Sequence, residues 1–306
     1  MNRSSPPALA TLRAHTASLV AQLAPAEGYT ETALAEVRLM RANRALPRTP
    51  VLYESCICVI VQGSKLGYLA GTAYRYDAQH YLVVSVPMAF ESEAQARPSE
   101  PLLGVSLRID PTIATELALA IDAQAPAAAA PQGMLSTPMD EDFADALLRL
   151  LRALSSPLEA KLLGPAILRE LYYRVLTGQQ GPAMRAALTH GSHFGRIGRA
   201  LRYIHANPTR TISVAELAQE ASMSVPAFHA HFKRVTHNSP LQYLKTTRLH
   251  QARLLMVRQG VTAAAAAAAV GYESSSQFNR EFKRLFGRTP VEEARAMQQV
   301  LALQAA

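Results

Sequence analysis

Two pairs of basic residues, separated by fifty positions, carry the clearest chemical signal in this chain. Phe232-Lys233-Arg234-Val235 recurs as Phe282-Lys283-Arg284-Leu285, and Ser239-Pro240 recurs as Thr289-Pro290. Lysine and arginine side chains neutralise phosphate groups and so position a protein on a nucleic acid without reading its sequence. The repeat therefore predicts two equivalent phosphate-binding segments, whose contacting residues are Lys233, Arg234, Lys283 and Arg284.

The excess positive charge is confined to the part of the chain that contains this repeat. Residues 191–306 hold 15 Lys and Arg against 6 Asp and Glu, whereas residues 1–190 hold 16 against 17. A basic surface kept only for solubility would not need to coincide with a duplicated basic motif. The distribution therefore favours a polyanionic partner for the C-terminal segment.

The residues around each basic pair predict a helix, a short turn and a second helix. In the first unit, residues 213–235, Ser213 and Glu216 have the spacing of a capping box. The second unit, residues 262–286, has a comparable helix cap at Ser274. Phenylalanines fall on the inward side of each second helix, and polar or basic residues fall on the outward side. This pattern predicts two helix-turn-helix units whose second helices enter the major groove of DNA.

The residues before the repeat follow a different pattern, which predicts a small all-β sandwich or barrel. Short β-branched runs alternate with glycines, as is typical of an all-β domain. The predicted strands are Val51–Tyr53, Cys56–Val61, Tyr81–Val86 and Leu103–Ile109. Before them we expect a flexible tail and a helix at 30–44, and after them a linker at 123–133.

Two helices are expected after the linker, at 140–154 and 157–177. The second carries an apolar stripe with i, i+4 spacing, formed by Leu163, Ile167, Leu171 and Val175. One interpretation is a contact in a symmetric dimer, which would present two DNA-binding domains to paired half-sites. The alternative is that the stripe packs on the domain's own barrel.

Cys56 and Cys58 lie two positions apart on one predicted strand and should point to the same face. They form no disulfide framework, and the N-terminus has no convincing signal peptide, so we expect a cytoplasmic protein without a membrane span. The thiols are either small buried hydrophobes or reactive groups that line a pocket. With Tyr68 and Tyr81 they are the candidate lining for an organic effector.

No metal, cofactor or catalytic residue is expected. The predicted barrel contains a single histidine, His80, and lacks the histidine and glutamate set of a metal-dependent enzyme of this fold. A nucleophile elbow, a phosphate-binding loop and a convincing carboxylate pair are also missing from the sequence.

Three stretches in the C-terminal segment resemble the DNA-binding domain of AraC/XylS-type transcription regulators. They are FHAHFK (228–233), SPLQYL (239–244) and the segment from Gly271-Tyr272-Glu273-Ser274 to Phe286-Gly287. Upstream, CICVIVQG (56–63), YLVVSVPM (81–88) and LRELYYRVLTG (168–178) resemble the cupin-like N-terminal domain of one branch of these regulators.

By position, the resemblance implies six base-reading residues, which are Pro226, His229, Ala230, Ser276, Asn279 and Arg280. The chemistry favours the second unit, because Arg280 can donate two hydrogen bonds to guanine and Asn279 can pair with adenine. Pro226 and Ala230 offer only apolar contact with a thymine methyl group.

We therefore expect an α+β multidomain protein that regulates transcription and is not an enzyme. Its parts are a tail and helix (1–44), a cupin-like barrel with a helical dimerisation segment (45–190), and an all-α double helix-turn-helix domain (191–306). The implied partners are a double-stranded DNA operator, a small-molecule effector, a second copy of the chain and, for an activator, RNA polymerase. The alternatives are a metal-free cupin-type enzyme and an architectural DNA binder with an interaction module.

Overall fold

The computed structural model describes residues 6–124, 129–188, 193–207, 210 and 212–302, with side chains from residue 9 to residue 297. The chain divides into two compact units. Unit 1 consists of Met1–Arg48, Glu54–Ser85 and Ser92–Ser192, and unit 2 consists of Thr49–Tyr53, Val86–Glu91 and His193–Ala306. The chain therefore contributes two short segments from its N-terminal half to the second unit.

A curled antiparallel sheet, a half-barrel, is the centre of unit 1. Its strands are β1 (Gly28–Glu31), β2 (Val37–Ala42), β3 (Leu46–Tyr53), β4 (Cys56–Gln62), β5 (Ser64–Leu69), β6 (Thr72–Asp77), β7 (His80–Val84), β8 (Met88–Gln95), β9 (Leu102–Arg108) and β10 (Met134–Pro138). The order across the sheet is β1-β2-β9-β4-β7-β6-β5-β8-β3, and β10 pairs with β7. This confirms the predicted β domain and extends it at both ends.

Five helices of unit 1 cover one side of the sheet, which we call the covered face. They are α1 (Pro6–Leu23), α2 (Pro111–Gln124), α3 (Glu141–Leu154), α4 (Pro157–Thr177) and α5 (Gly181–Leu188). Alternate strand residues point to opposite sides, so Ile57, Val59 and Val83 join the helices in one hydrophobic core. Their neighbours Cys56, Cys58 and Ile60 occupy the opposite side, which we call the inner face.

Three expectations for the first 133 residues are wrong in detail, namely the flexible tail, the helix at 30–44 and the linker at 123–133. The helix expected at 30–44 is replaced by β1 and β2, and α1 lies earlier, at Pro6–Leu23. The segment Val37–Ala42 is buried at four of its six positions because it pairs with β9 inside the sheet. The expected linker at 123–133 begins at the end of an unpredicted helix, α2, and residues 125–128 lie outside the described residues.

The apolar stripe of α4 packs into unit 1 rather than facing outward. Leu171 and Val175 are buried in the core, and Ile167 packs against it. Leu163 alone is exposed, by 52%. The alternative interpretation of this stripe is therefore the one that the structure supports. The outward side of α4 carries other exposed apolar side chains, namely Leu158, Leu162 and Tyr173.

Unit 2 is built around seven helices of the described chain. They are α6 (His193–Ala206), α7 (Val214–Glu220), α8 (Val225–Thr236), α9 (Pro240–Gln259), α10 (Ala263–Ala269), α11 (Ser275–Phe286) and α12 (Pro290–Ala302). The side chains of Ser213, Ser224 and Ser274 accept a backbone N–H from the third residue of the helix that each one caps. The predicted helix-turn-helix pairs are therefore present, as α7–α8 and α10–α11, joined by α9.

Candidate functional site

The second helix of the first pair, α8, separates buried aromatic residues from exposed polar ones. Phe228 and Phe232 are fully buried, with ring centroids 5.2 Å apart. Because these two rings hold one side of the helix inward, the opposite side projects from the unit. The predicted contact residues on this helix are all exposed, namely Pro226, His229, Ala230, Lys233 and Arg234.

The corresponding helix of the second pair, α11, repeats this division. Phe278 and Phe282 are buried with Met256 and with Ala266 and Ala267 of α10 in a separate core. The predicted contact residues on α11 are also exposed, namely Ser276, Asn279, Arg280, Lys283 and Arg284. Each helix-turn-helix pair thus presents one helix face with donors suited to phosphates. The second pair adds an amide and a guanidinium suited to base edges.

A buried carboxylate that sequence patterns did not predict holds α11 in place. Glu281 accepts hydrogen bonds from Lys245 Nζ (2.9 Å), the Tyr272 hydroxyl (2.8 Å) and Gln277 Nε2 (3.2 Å). Burial alone would raise the pKa of Glu281, but these three donors lower it below its usual range. The carboxylate therefore stays ionised and connects α11 to α9 and to the preceding turn. An acidic residue between Arg280 and Phe282 in a basic helix was the available signal.

The inner face of the sheet brings together the two cysteines but not the two tyrosines predicted to join them. Cys58 is paired with Leu82, whereas Tyr81 points to the covered face and stacks on Phe143 at 4.5 Å. Tyr68 also points away from the inner face, and its hydroxyl donates to Glu93 at 2.8 Å. Tyr68 and Tyr81 are thus not placed to share a pocket with the thiols, because each lies an odd number of strand positions from the inner-face residues.

The two thiols are inaccessible and weakly acidic. Cys56 and Cys58 are exposed by 6% and 2%. Burial raises the pKa of both thiols, and the neighbouring Cys58 raises the pKa of Cys56 further. Since the thiolate is the reactive form, this environment supports their interpretation as small apolar residues and disfavours capture of an electrophile.

The inner face contains a buried lysine that sequence patterns also did not predict. Lys65 is 6% exposed, and its Nζ lies 4.0 Å from Met40 Sδ. Lys65 is paired across the strands with Tyr76, whose hydroxyl lies 3.2 Å from Ser92 Oγ. Burial lowers the pKa of Lys65, but the neighbouring Tyr76, Tyr29 and Cys58 raise it by more, so the net direction is upward. A polar cluster with a cationic group therefore lies within an otherwise apolar surface.

The part of the chain that the structure describes contains neither a candidate metal site nor a candidate membrane span. No cluster of three or more histidine, cysteine, aspartate or glutamate side chains is placed to hold a metal ion there. Within the same residues, no helix combines the length and the apolar character needed to cross a membrane.

Comparison with known proteins assigns families to both parts of the chain. Residues 33–183 match the family model of the AraC-type transcriptional regulator N-terminus, and residues 217–296 match that of a helix-turn-helix domain. The chain is 35% identical over 94 residues to the HTH-type transcriptional regulator AlkR of Acinetobacter baylyi, a match that covers 31% of each protein. It is 26% identical over 149 residues to the HTH-type transcriptional regulator ArgR of Pseudomonas aeruginosa, covering 48% of this chain and 45% of ArgR. The chain thus spans about a third to a half of these relatives' length.

Solved structures show the same overall fold at low identity. ToxT from Vibrio cholerae strain SCE256, bound to an unsaturated fatty acid, has a TM-score of 0.59 and 12% identity over 84% of this chain and 94% of that one. ToxT from Vibrio cholerae O395, bound to (E)-4-(8-methylnaphthalen-1-yl)but-3-enoic acid, also has a TM-score of 0.59 and 12% identity, over 89% of this chain and all of that one. At this identity the likeness concerns the fold alone.

The chain thus combines a β half-barrel with a helix-turn-helix domain. Residues 33–183 therefore belong to the N-terminal domain family of the AraC-type transcriptional regulators, and the chain as a whole resembles these regulators.

Proposed function

We propose that this protein binds a double-stranded DNA operator in the cytoplasm through α8 and α11 and thereby regulates transcription. The observation that carries the proposal is the duplicated exposed face: a basic pair recurs on two helices anchored by buried phenylalanines, and α11 adds the exposed Asn279 and Arg280. In this proposal Asn279 and Arg280 read bases. Lys233, Arg234, Lys283 and Arg284 contact phosphates.

Substitution of Arg280 and of Lys233 should have different consequences. Arg280→Ala should weaken operator binding by about 1–3 kcal/mol and relax the preference at one base pair, because a bidentate contact to guanine is lost. Lys233→Ala should weaken binding to all sequences alike and reduce the salt slope by about one, because one phosphate contact is lost. An operator is first selected from random DNA. The purified protein is then titrated against it, and fluorescence anisotropy reports binding. A uniform loss in both variants would contradict the base-reading role of Arg280.

We propose further that the inner face of the half-barrel takes an organic anion with a large apolar part. Lys65 supplies a cationic group, Tyr76 and Ser92 supply hydroxyls, and Met40, Cys58 and Leu82 supply apolar surface. Pockets for small molecules are lined in this way, mainly by apolar side chains with a few polar groups that orient the ligand. The carboxylic acids bound to the ToxT structures have the same chemistry. Such an effector alters DNA affinity only if it binds two states of the protein with different affinity.

Replacement of Lys65 should show whether binding of the effector requires a negative charge on the ligand. Oleate is expected to bind the wild-type protein at least tenfold more tightly than oleyl alcohol, which corresponds to about 1.4 kcal/mol. In Lys65→Met that preference should disappear, whereas Lys161→Met, at an exposed position of α4, should retain it. Isothermal titration calorimetry below the micelle concentration measures both ligands. Equal binding of acid and alcohol by the wild-type protein would exclude an anion site at Lys65.

We propose that a homodimer forms through the outward side of α4 instead of the predicted stripe. Leu158 and Leu162 are each 66% exposed, and residues four positions apart lie one turn apart on a helix. Leu162→Asp should therefore shift the protein from dimer to folded monomer in sedimentation velocity. Ile167→Asp should lower stability instead, because Ile167 packs against the core of unit 1. An unchanged dimer in Leu162→Asp would exclude this face.

We extend the proposal to RNA polymerase for the case in which the bound protein activates a promoter. In vitro transcription from a promoter that carries the selected operator tests this step. A rise in transcript with added protein indicates productive contact with polymerase, and a fall indicates repression.

A further inference from the structure

The second helices of the two helix-turn-helix pairs carry different residues at the position that precedes the second buried phenylalanine, which we call the anchor position. The residue before the second buried phenylalanine is Glu281 in the second pair and His231 in the first, fifty positions earlier. Glu281 is 9% exposed and bonded to Lys245, Tyr272 and Gln277. The duplicated helices are therefore held by different chemistry although their buried aromatic residues match.

His231 is held by a second imidazole and is surrounded by cations. Its ring stacks on His193 of α6, with centroids 3.9 Å apart and an angle of 21° between the planes. A guanidinium N–H of Arg234 donates to His231 Nδ1. Partial burial, then the charges of His193, Arg234 and Arg196, lower the pKa of His231. Contact of α8 with α6 at this point thus favours the neutral imidazole.

Protonation of His231 would break this arrangement. An Nδ1 atom that accepts from Arg234 cannot also carry a hydrogen, so the imidazolium form loses that bond. It would also place a positive charge against His193, Arg196 and Arg234 at short range. Glu281 behaves in the opposite way, because its pKa is lowered and it remains ionised over the same pH range.

We propose that the anchor residues make the two DNA-reading helices unequal in their response to acid. His231, stacked on His193, holds α8 only while its own imidazole is neutral, whereas Glu281 holds α11 at every pH from mildly acidic to neutral. Since the folded-state pKa of His231 is lowered, its support is complete above the unfolded value of about 6.5 and is lost as pH falls below it. Acidification therefore releases the first helix-turn-helix pair from its half of the operator, while the second pair stays bound. This inference rests on the proposed DNA binding.

The test is a footprint of the full-length protein on the selected operator at pH 8.0, 7.0, 6.0 and 5.5 and constant ionic strength. Loss of protection in Arg280→Ala at pH 8.0 identifies the half of the operator that the second helix-turn-helix pair contacts. In the wild-type protein, protection of the other half should be lost on acidification, with a rise of at least fivefold in the dissociation constant. In His231→Gln the change should be below twofold. The matched control His237→Asn, at an exposed histidine in the same unit, should behave as the wild-type protein does.

A second variant copies the residue of the second pair into the first. His231→Glu places a carboxylate beside Arg196 and Arg234, which should restore a charged anchor and remove the acid response. Parallel loss of affinity in the wild-type protein and His231→Gln would overturn the proposal, as would equal loss of both halves or stronger binding at low pH. The other histidines of unit 2 are present in the wild-type protein and in both His231 variants, so the comparison concerns position 231.

Hydrogen exchange of the free protein separates this inference from the proposed function. On acidification, α8 should exchange faster relative to α11 after correction for intrinsic rates, and His231→Glu should suppress the difference. If no operator is protected at pH 8.0, the proposed DNA binding fails, but the exchange experiment still decides whether the anchor residues differ. Equal protection of α8 and α11 across the range would exclude the difference.

Discussion

Arg253→Met is expected to lower the free energy of unfolding of unit 2 by about 3–5 kcal/mol, the range found when one member of a buried ion pair is removed. Arg253 and Glu293 are 9% and 7% exposed, and their charged groups lie 3.4 Å apart. The guanidinium also donates to the carbonyl of Pro50 and lies 4.5 Å above the ring of Phe286. Without it, the carboxylate of Glu293 is left in a largely dry environment.

A double-mutant cycle distinguishes this ion pair from simple loss of packing. Glu293→Leu alone should also be costly, because it leaves Arg253 buried without its counter-charge. The Arg253→Met/Glu293→Leu protein should recover much of the loss, because no charge is then buried unpaired. Native-state hydrogen exchange in α9 and α12 reports the free energy. Additive single effects would indicate that packing, and not charge, dominates. The exposed pair Arg97–Glu100 of unit 1, at 71% and 52% exposure, is the control. Hydrogen exchange in β9 of the same unit should show that it contributes less than about 1 kcal/mol.

The second large effect is loss of stability of unit 2 in acid, to which His205 should contribute about 3 kcal/mol, since a tenfold change in a protonation equilibrium corresponds to about 1.4 kcal/mol. Burial lowers the pKa of His205 to about 4. The Tyr243 hydroxyl donates to the Pro87 carbonyl at 3.0 Å and therefore accepts from His205 Nε2 at 2.8 Å. A lowered folded-state pKa means that this contribution is intact above about pH 6.5 and is lost progressively as pH falls towards 4.

Comparison with His205→Gln isolates this contribution, because the glutamine amide can still donate to Tyr243 but does not titrate. The difference in unfolding free energy between the two proteins should change by about 3 kcal/mol between pH 7 and pH 4. His250 is present in both proteins, and its pKa is also lowered well below its usual value, mainly by burial and then by Arg253 and His205. A difference that is constant with pH would show that His205 is not held neutral.

Local signals were sufficient for the helices of unit 2. Ser213 and Ser274 cap the predicted helices, because a capping hydrogen bond involves residues only three positions apart. The paired phenylalanines are buried as expected, since an i, i+4 pair lies on one side of any helix. Exposure of Asn279 and Arg280 follows from the same periodicity. These features needed no knowledge of the rest of the fold.

The faces and pairing of the strands depend on residues that are distant in sequence. Cys56 and Cys58 share a face because alternation along a strand is a local property, but the faces of Tyr68 and Tyr81 relative to them depend on register between strands. Residues 37–42 were interpreted as helical, although pairing with β9 makes them a strand. Pairing partners distant in sequence decide both outcomes, and alternation within one segment does not reveal them.

Residue types, their spacing and the fifty-residue repeat determined by themselves that this chain has a basic double helix-turn-helix segment after a β domain. Only the tertiary structure decided which groups are buried together, as with Lys65 among Met40 and Tyr76, or Glu281 among Lys245, Tyr272 and Gln277. The reason is physical: whether a charged residue is a solvated surface group or an internal anchor depends on the donors and the burial that remote segments supply. His231 and Glu281 occupy equivalent positions of one repeat, yet their neighbours from α6 and α9 give them opposite chemistry.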